Sequence, residues 1–455
     1  MAEATTVAGV FHPSRTLYRY TLLGLAALLP FGSYFAYDSI GALSTSLTEK
    51  LHLARSTIGN SYTAYSVAAV LIVFFGGFLV DRLGTRRASL LFSALVAVGA
   101  LGVALARNSW ELYAGRLIFG AGSESLVVAQ SVILARWFKG KELAFAFGVT
   151  LTISRVGTLF SFNTEELIAK YYGGYKYALW AAFLFTVFSV LANLAYNAMD
   201  LRGERILKLS DESSDKLDFG AFRRFGASFW FITLLCVTFY SAIFPFTSLS
   251  TDMFHAKWGF PSTAATSGGF LSQVFGNFAH MFSTAPGVTS IIIFASMMCA
   301  PFAGKLVDRI GRRATLMVVG SLILIPCHAA MGLSRIDPRV SMVLLGVAFV
   351  LVPAAMWPSI PLVVDKRYVG TAFGLCTAVQ NLGLAAFPFL NGQLRDRTGG
   401  YTWSQIMFAG LGAVGLVFAI LLKVSDRKAG GVLRAPSVAH AAPAAEPAEA
   451  ASGTE

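Results

Sequence analysis

Two ionisable residues stand where ionisable residues are expensive. Glu124 and Arg155 each fall near the middle of a long apolar run, 110-136 and 142-169, and Asp38 lies within another, 17-47. A charge at mid-bilayer costs about 2.5 to 3.5 kcal/mol on the most lenient insertion scale, so each is a functional candidate by default. A carboxylate suits an ammonium group and a guanidinium offers a planar fork to a carboxylate, so together Glu124 and Arg155 fit a zwitterion. Glu124 is one residue from its segment's midpoint and Arg155 is at the midpoint of the next. At about 1.5 Å rise per residue they share a depth on neighbouring antiparallel segments. A buried salt bridge that pins those segments together is the alternative. Asp38 lies roughly 9 Å from its segment's centre, where gating, proton transfer and an interfacial or structural role are all open. In the second half of the chain Tyr240, Phe244, Trp357 and the adjacent pair Gln380-Asn381 gather at similar depth. Aromatics on apolar segments commonly pack or face lipid. Two unsatisfied amides in hydrocarbon are costly, so at least one of Gln380 and Asn381 is expected to meet a partner helix or a cavity.

What must position these residues is a set of membrane-crossing helices. Of 455 residues 55% are hydrophobic and 13% charged, where a soluble fold usually carries about a quarter charged. About twenty apolar residues make one crossing, which yields twelve segments. The first six are 17-47, 59-80, 88-107, 110-136, 142-169 and 176-199; the second six are 227-255, 288-307, 314-334, 338-365, 368-394 and 402-424. The expected fold is an all-α membrane protein with twelve transmembrane helices in two pseudo-symmetric six-helix bundles, 17-199 and 227-424. Around them lie an N-terminal segment, 1-16, a charged linker, 200-226, and a tail, 425-455, whose Gly, Ala, Pro and Glu bury too little apolar surface to order.

The net charge of +12 is first of all a topology signal. Of the 36 Lys and Arg, 24 fall on the side of the termini, 10 on the opposite side, and Arg116 and Arg155 inside segments. By the positive-inside rule the termini are cytoplasmic, and nucleic-acid binding is set aside. No cleavable signal peptide is expected, because 1-16 is polar and the first apolar run is too long for one. Cys236, Cys299, Cys327 and Cys376 lie within segments with no CxxC and no His/Cys cluster, so neither disulfide nor metal nor any other cofactor is expected. No Ser/His/Asp set, phosphate loop or HExxH supports an enzyme, and His328 stands alone on an apolar segment.

The halves share a signature. Gly77-Phe-Leu-Val-Asp81-Arg82-Leu-Gly84-Thr-Arg86-Arg87 is followed 227 residues later by Gly304-Lys-Leu-Val-Asp308-Arg309-Ile-Gly311-Arg312-Arg313. Each copy sits after the second segment of its half, a duplication at fixed period. Glycine permits tight packing and a sharp turn, and the Asp and Arg residues suit ion pairs at helix ends. With Arg116-Leu-Ile-Phe-Gly120-Ala-Gly122 in the fourth segment, the chain resembles the major facilitator superfamily, whose loop motif is GxxxDRxGRR. The resemblance covers the chain up to the tail and implies two six-helix bundles around a central cavity that opens alternately to each side. In such a cycle the Asp81 and Asp308 loops, with Arg82, Arg86, Arg87, Arg309 and the nearby Arg136, are expected to stabilise closure on the cytoplasmic side.

Longer stretches are similar to one subfamily, the major facilitator superfamily domain-containing protein 1 group of lysosomal dipeptide transporters: PFGSYFAYD (30-38), GRLIFGAGSESLVVAQ (115-130), WFKGKELAFAFG (137-148), RVG (155-157), ERIL (204-207), FYSAIFPF (239-246), WP (357-358) and GTAFGLCTAVQNLGLA (370-385). The resemblance implies a facilitative transporter of dipeptides, with the peptide amine near Glu124 and its carboxylate near Arg155. It also brings Tyr34, Tyr37 and Gln130, which stand in those stretches, into the expected substrate site. It implies uniport, a lysosomal or other endomembrane location with the plasma membrane as the alternative, an accessory glycosylated subunit and, as a further expectation, a homodimer in membrane lipid. Two departures stand out. The region 256-287 carries a Gly, Ser and Phe-rich insertion, and no Asp or Glu precedes a Leu-Leu or Leu-Ile at the spacing of a lysosomal sorting signal. The competing functions are a proton-coupled symporter of another small organic anion or amino acid, and a transport-dead scaffold or receptor that keeps the fold.

Overall fold

Lipid offers the backbone no hydrogen-bond partners, so a chain this apolar must satisfy its own N–H and C=O groups within helices. The computed structural model describes residues 12–13, 15–50, 53–138, 141–207 and 224–436, and among them there is no β-strand. The first half comprises α1 (Thr16–Ala42), α2 (Ser44–Lys50), α3 (Arg55–Leu105), α4 (Ser109–Trp137), α5 (Lys141–Tyr171) and α6 (Tyr175–Leu207). The second comprises α7 (Ala227–Trp258), α8 (Phe270–Ala279), α9 (Ala285–Ile310), α10 (Arg313–Leu333), α11 (Pro338–Met356), α12 (Ile360–Val363), α13 (Val369–Thr398) and α14 (Thr402–Lys428). Eleven helices among the described residues are long and apolar enough to cross a membrane.

The expected segments 59-80 and 88-107 are joined in α3. Its 51 residues would reach about 76 Å if straight, more than twice the hydrocarbon thickness. Gly84 breaks it, with φ 77° and ψ 157°, a conformation that side chains with a Cβ avoid. The signature glycine is thus the hinge between two arms. Both arms hold α4: a Cβ on Gly122 would lie 2.7 Å from the Phe92 carbonyl oxygen of the second arm, and one on Gly120 would meet the Tyr65 carbonyl of the first. In the second copy Gly311 also has positive φ, 63°.

Two expected boundaries change, at the linker and at the tail. The linker begins later than residue 200, because α6 continues to Leu207 and its last turns are bound to the first bundle. Asp200, fully buried, accepts from Arg86 Nη1 at 3.1 Å, Arg136 Nη1 at 3.2 Å, Trp137 Nε1 at 2.7 Å and the Tyr196 hydroxyl at 3.2 Å. Glu204 pairs with Arg86 and, at 3.4 Å, with Arg136 Nη2. These partners all belong to the first half, so in this structure Arg86 and Arg136 brace one bundle. Arg82, Arg87, Asp308 and Arg309 are exposed, and the surroundings of Gly77 and Asp81 lie outside the described residues. The tail, finally, is ordered to residue 436: α14 runs to Lys428, and the following turn caps the second signature. Arg312 N–H donates to the Arg434 carbonyl at 3.2 Å and Arg313 Nη1 to that of Ala435 at 3.1 Å. The remainder, from 437, and most of the linker, 208–223, lie outside the described residues.

The halves meet chiefly where α3 packs against α13 and α5 against α9, with smaller contacts of α7 with α1, α2 and α3 and of α8 with α5. Because Asp200 is buried with four donors, Asp200→Asn should cost about 3 kcal/mol of stability. Glu204→Gln, at a half-exposed site, should cost less than about 1 kcal/mol. Denaturant unfolding of both variants in detergent measures the difference, and equal losses would contradict the bracing role.

Candidate functional site

The first half supplies the charges. Glu124 of α4 accepts from the Tyr65 hydroxyl at 2.8 Å. That hydroxyl also lies 3.0 Å from Ser123 Oγ, which pairs with Ser33 Oγ of α1 at 2.7 Å. Arg155 of α5 lays its guanidinium over the Phe349 ring of α11, 4.1 Å from the centroid. Among the described residues it has no carboxylate within ion-pair distance, and Glu124 and Arg155 form no salt bridge. The physical reason is that α1 packs extensively against α5, whereas α4 meets α5 only slightly. The two charges therefore look across α1, and Tyr34 of that helix interacts electrostatically with both and with Asp38. Tyr34, Glu124 and Arg155 are all partly exposed.

Asp38 is 5% exposed and lies beside Thr158 of α5, within electrostatic reach of Arg116 and Arg155. Arg116 is itself only 1% exposed. It sits among the rings of Tyr37, Tyr62, Tyr65 and Phe119, with centroids at 4.7 to 5.5 Å, and donates to the Tyr37 carbonyl at 3.2 Å. Tyr37 thus serves as a wall of this cage. Gln130 does not line the site: it is buried, and its amide donates to the Ala26 carbonyl at 2.6 Å, pinning α4 to α1.

The second half supplies an aromatic wall. Tyr240 and Phe244 stack with an interplanar angle of 4°, Phe244 meets Phe349 edge-on at 5.3 Å, and Trp357 stacks on Phe373. Trp357 Nε1 donates to the Tyr240 hydroxyl at 3.0 Å. Of the two amides, Asn381 is buried and donates to the Thr377 carbonyl of its own helix at 3.1 Å. Gln380 is partly exposed and accepts from the Cys236 thiol at 3.7 Å. Tyr65 and Phe349, which orient the two charges, carry no signal of their own in a chain of 15 Tyr and 38 Phe. The buried Glu165 and Glu166 lie too far from a midpoint for depth arithmetic to select; Glu166 accepts from Ser46 Oγ at 2.7 Å.

On the side opposite the termini the halves are tied. Asp252 of α7 accepts from Arg55 Nε at 3.3 Å and Nη2 at 3.2 Å, receives the Tyr401 hydroxyl and has Arg395 Nε at 4.0 Å. The residue preceding α3, Ala54, offers no capping side chain. Asp396 of the other half does that work, accepting from the N–H groups of Arg55 and Ser56 at 3.1 and 2.8 Å, where a helix N-terminus favours an anion. Thr63 donates to the Ala385 carbonyl at 2.6 Å and Asn163 to Ser290 Oγ at 3.0 Å. The α3–α13 backbones approach so closely that a Cβ on Gly392 would lie 2.6 Å from the Ser56 Cα.

Two charged poles under an aromatic wall, between two bundles tied at one end, is the arrangement of a carrier. The family model described as Major Facilitator Superfamily matches residues 26–287 and 279–448. The chain belongs to the major facilitator superfamily. It is a multi-pass membrane transporter and not an enzyme. It is 32% identical over 438 residues to the lysosomal dipeptide transporter MFSD1 of Danio rerio, covering 92% of this chain and 90% of that one. It is 31% identical over 437 residues to MFSD1 of Homo sapiens, covering 92% and 89%. The solved structure of the nucleoside transporter NupG superposes with a TM-score of 0.67 at 14% identity, over 89% of this chain and 99% of that one, a likeness of fold alone.

If Tyr65 holds Glu124 by a hydrogen bond to a charged group, a double-mutant cycle of Tyr65→Phe and Glu124→Gln should show a coupling of about 1.5 to 3 kcal/mol in unfolding. Additive effects would detach the two residues.

Proposed function

We propose that this transporter carries dipeptides by alternating access, as a uniporter, with the peptide amine at Glu124 and the peptide carboxylate at Arg155. The observation that carries the reading is Arg155: a guanidinium deep in the membrane region, partly exposed, with a ring for a neighbour and no carboxylate partner among the described residues. A carboxylate arriving with a substrate completes it in a bidentate geometry. Glu124, held from behind by Tyr65, keeps its other oxygen for an ammonium group. The similarity to dipeptide transporters over nearly the whole chain supports the length of the zwitterion.

The second half gives the substrate a surface with little direction. The indole N–H of Trp357 and the hydroxyl of Tyr240 bind each other, so the wall of Tyr240, Phe244, Phe349 and Trp357 makes few polar demands on peptide side chains. Broad acceptance of dipeptides follows from this.

Taking the basic surplus as cytoplasmic, the tied end faces the lumen or exterior and the site is reached from the cytoplasm. Moving to the opposite state requires Arg55 to leave Asp252 and the α3–α13 contact to part. The resemblance supports a lysosomal or other endomembrane location.

In proteoliposomes, Glu124→Gln and Arg155→Ala should each lower labelled dipeptide uptake more than tenfold with folding retained, since each removes a charged hydrogen bond of about 1.5 to 3 kcal/mol. An N-acetylated dipeptide should fail to compete because it lacks the ammonium group, and a C-amidated one because it lacks the carboxylate. Unchanged uptake in both variants would sink the assignment, and acidification of the lumen in proportion to flux would replace uniport by proton symport. Gly392→Leu should prevent closure of the tied end. Spin labels on cysteines introduced at the exposed positions 110 and 403, on the same side but away from that contact, should move apart when leucine is placed at Gly392 or at Gly59, the neighbouring close approach; an unchanged distance would contradict the idea that the two backbones hold that end shut.

A further inference from the structure

The connection between α7 and α9 crosses to the other half. On the side opposite the termini, Asn277 of α8 accepts from Ala264 N–H at 2.9 Å and donates to the Asn163 carbonyl of α5 at 2.7 Å. Lys170 of α5 donates to Thr263 at 3.0 Å. Rings add to the junction: Phe278 lies against Phe160, and Phe270 against Tyr171 and Tyr172. The residues of α8 that turn inward, Phe270, Gln273, Val274, Asn277 and Phe278, follow the period of one helix face. A second row, Leu271 and Phe275, is 69% and 73% exposed.

Water is a poor account of that second row. From Trp258 to Gly304 the chain contains no Asp, Glu, Lys or Arg, although a solvent-facing stretch normally carries charges freely. The start of the helix that carries the row adjoins the lipid-facing surface: Phe270, next to Leu271, touches Tyr171 and Tyr172, both exposed at the end of a membrane-crossing helix, and Tyr172 touches the exposed Tyr177 at the start of the next. Tyrosines at helix ends mark the headgroup level. We propose that α8 is an interfacial helix, with Leu271 and Phe275 inserted into the leaflet opposite the termini and Ser272 on the water side, strapping the second half to α5 at the membrane surface.

Nitroxide accessibility tests this in nanodiscs of phosphatidylcholine. The full chain carries Leu271→Cys, Phe275→Cys or Ser272→Cys in a Cys299→Ser background, the other three cysteines being buried. Collisions with oxygen should exceed those with a water-soluble nickel chelate at 271 and 275, with the ratio reversed at 272. Nickel-dominated collisions at 271 and 275 overturn the proposal in favour of a water-exposed loop. Exclusion of both reagents there overturns it in favour of a protein partner or a second copy. Should one label disturb folding, the other of positions 271 and 275 carries the same expectation.

Discussion

A charge inside the bilayer must be compensated locally, and three of those in the first half are compensated in three ways. Arg116 is enclosed by four aromatic rings and a backbone carbonyl, a permanent arrangement within one bundle. Glu124 leans on a tyrosine hydroxyl of the same bundle. Arg155 alone is supported from across the molecule, by a ring of α11. A cation over an aromatic face gains about 0.5 to 2 kcal/mol, less than a full ion pair in a desolvated site. The guanidinium is therefore placed but not saturated, and its surroundings depend on how the two halves stand. A group with these properties is suited to sensing an anion and the bundle arrangement together.

The two ends of the protein are built on opposite principles. On the side of the termini, Asp200 draws Arg86, Arg136, Trp137 and Tyr196 into one bundle, so this network survives a rigid-body movement. On the other side, Asp252 and Asp396 of the second half bind Arg55 and the start of α3 in the first. That set must break when the halves rock. Arg55 is about one-third exposed while Asp252 is buried, and water that reaches the pair reduces what it costs to separate. A substrate can shift the equilibrium only by its differential binding to the two states, so a partly hydrated tie of modest strength is one that substrate binding can oppose.

Much of this was legible from residue type and period. The apolar runs mark the crossings, the repeated signature marks where the chain must turn, and the positive φ at both Gly84 and Gly311 is the geometry that the choice of glycine implied. Depth arithmetic selected Glu124 and Arg155 without any knowledge of contacts. It misjudged their relation, because adjacency in sequence order does not say that α1 separates α4 from α5. Gln130 resembles a site residue by motif, yet its amide is spent on a carbonyl of α1, a pairing between residues about a hundred positions apart. Asp252 lies near the end of an apolar run and reads as an ordinary interfacial charge. Its importance comes from Arg55, Arg395 and Tyr401, which only the fold assembles. The tail beyond residue 424 looked too poor in apolar surface to order, but its first residues continue α14 to Lys428, Leu433 is fully buried, and the Arg434 and Ala435 carbonyls accept from Arg312 and Arg313 of the second signature turn.

The halves are similar in fold and unequal in chemistry. Ionic poles are confined to the first half, and the second presents stacked rings in which the Trp357 indole N–H is already spent on the Tyr240 hydroxyl, with no Asp, Glu, Lys or Arg from Trp258 to Gly304. Directional recognition needs unsatisfied donors and acceptors, whereas apolar contact discriminates weakly, about 1 to 3 kcal/mol per methylene. A carrier divided in this way reads the ends of a zwitterion strictly and what lies between them loosely. Such a division also lets one half hold the substrate in register while the other moves against it, because sliding along an aromatic wall breaks no hydrogen bond.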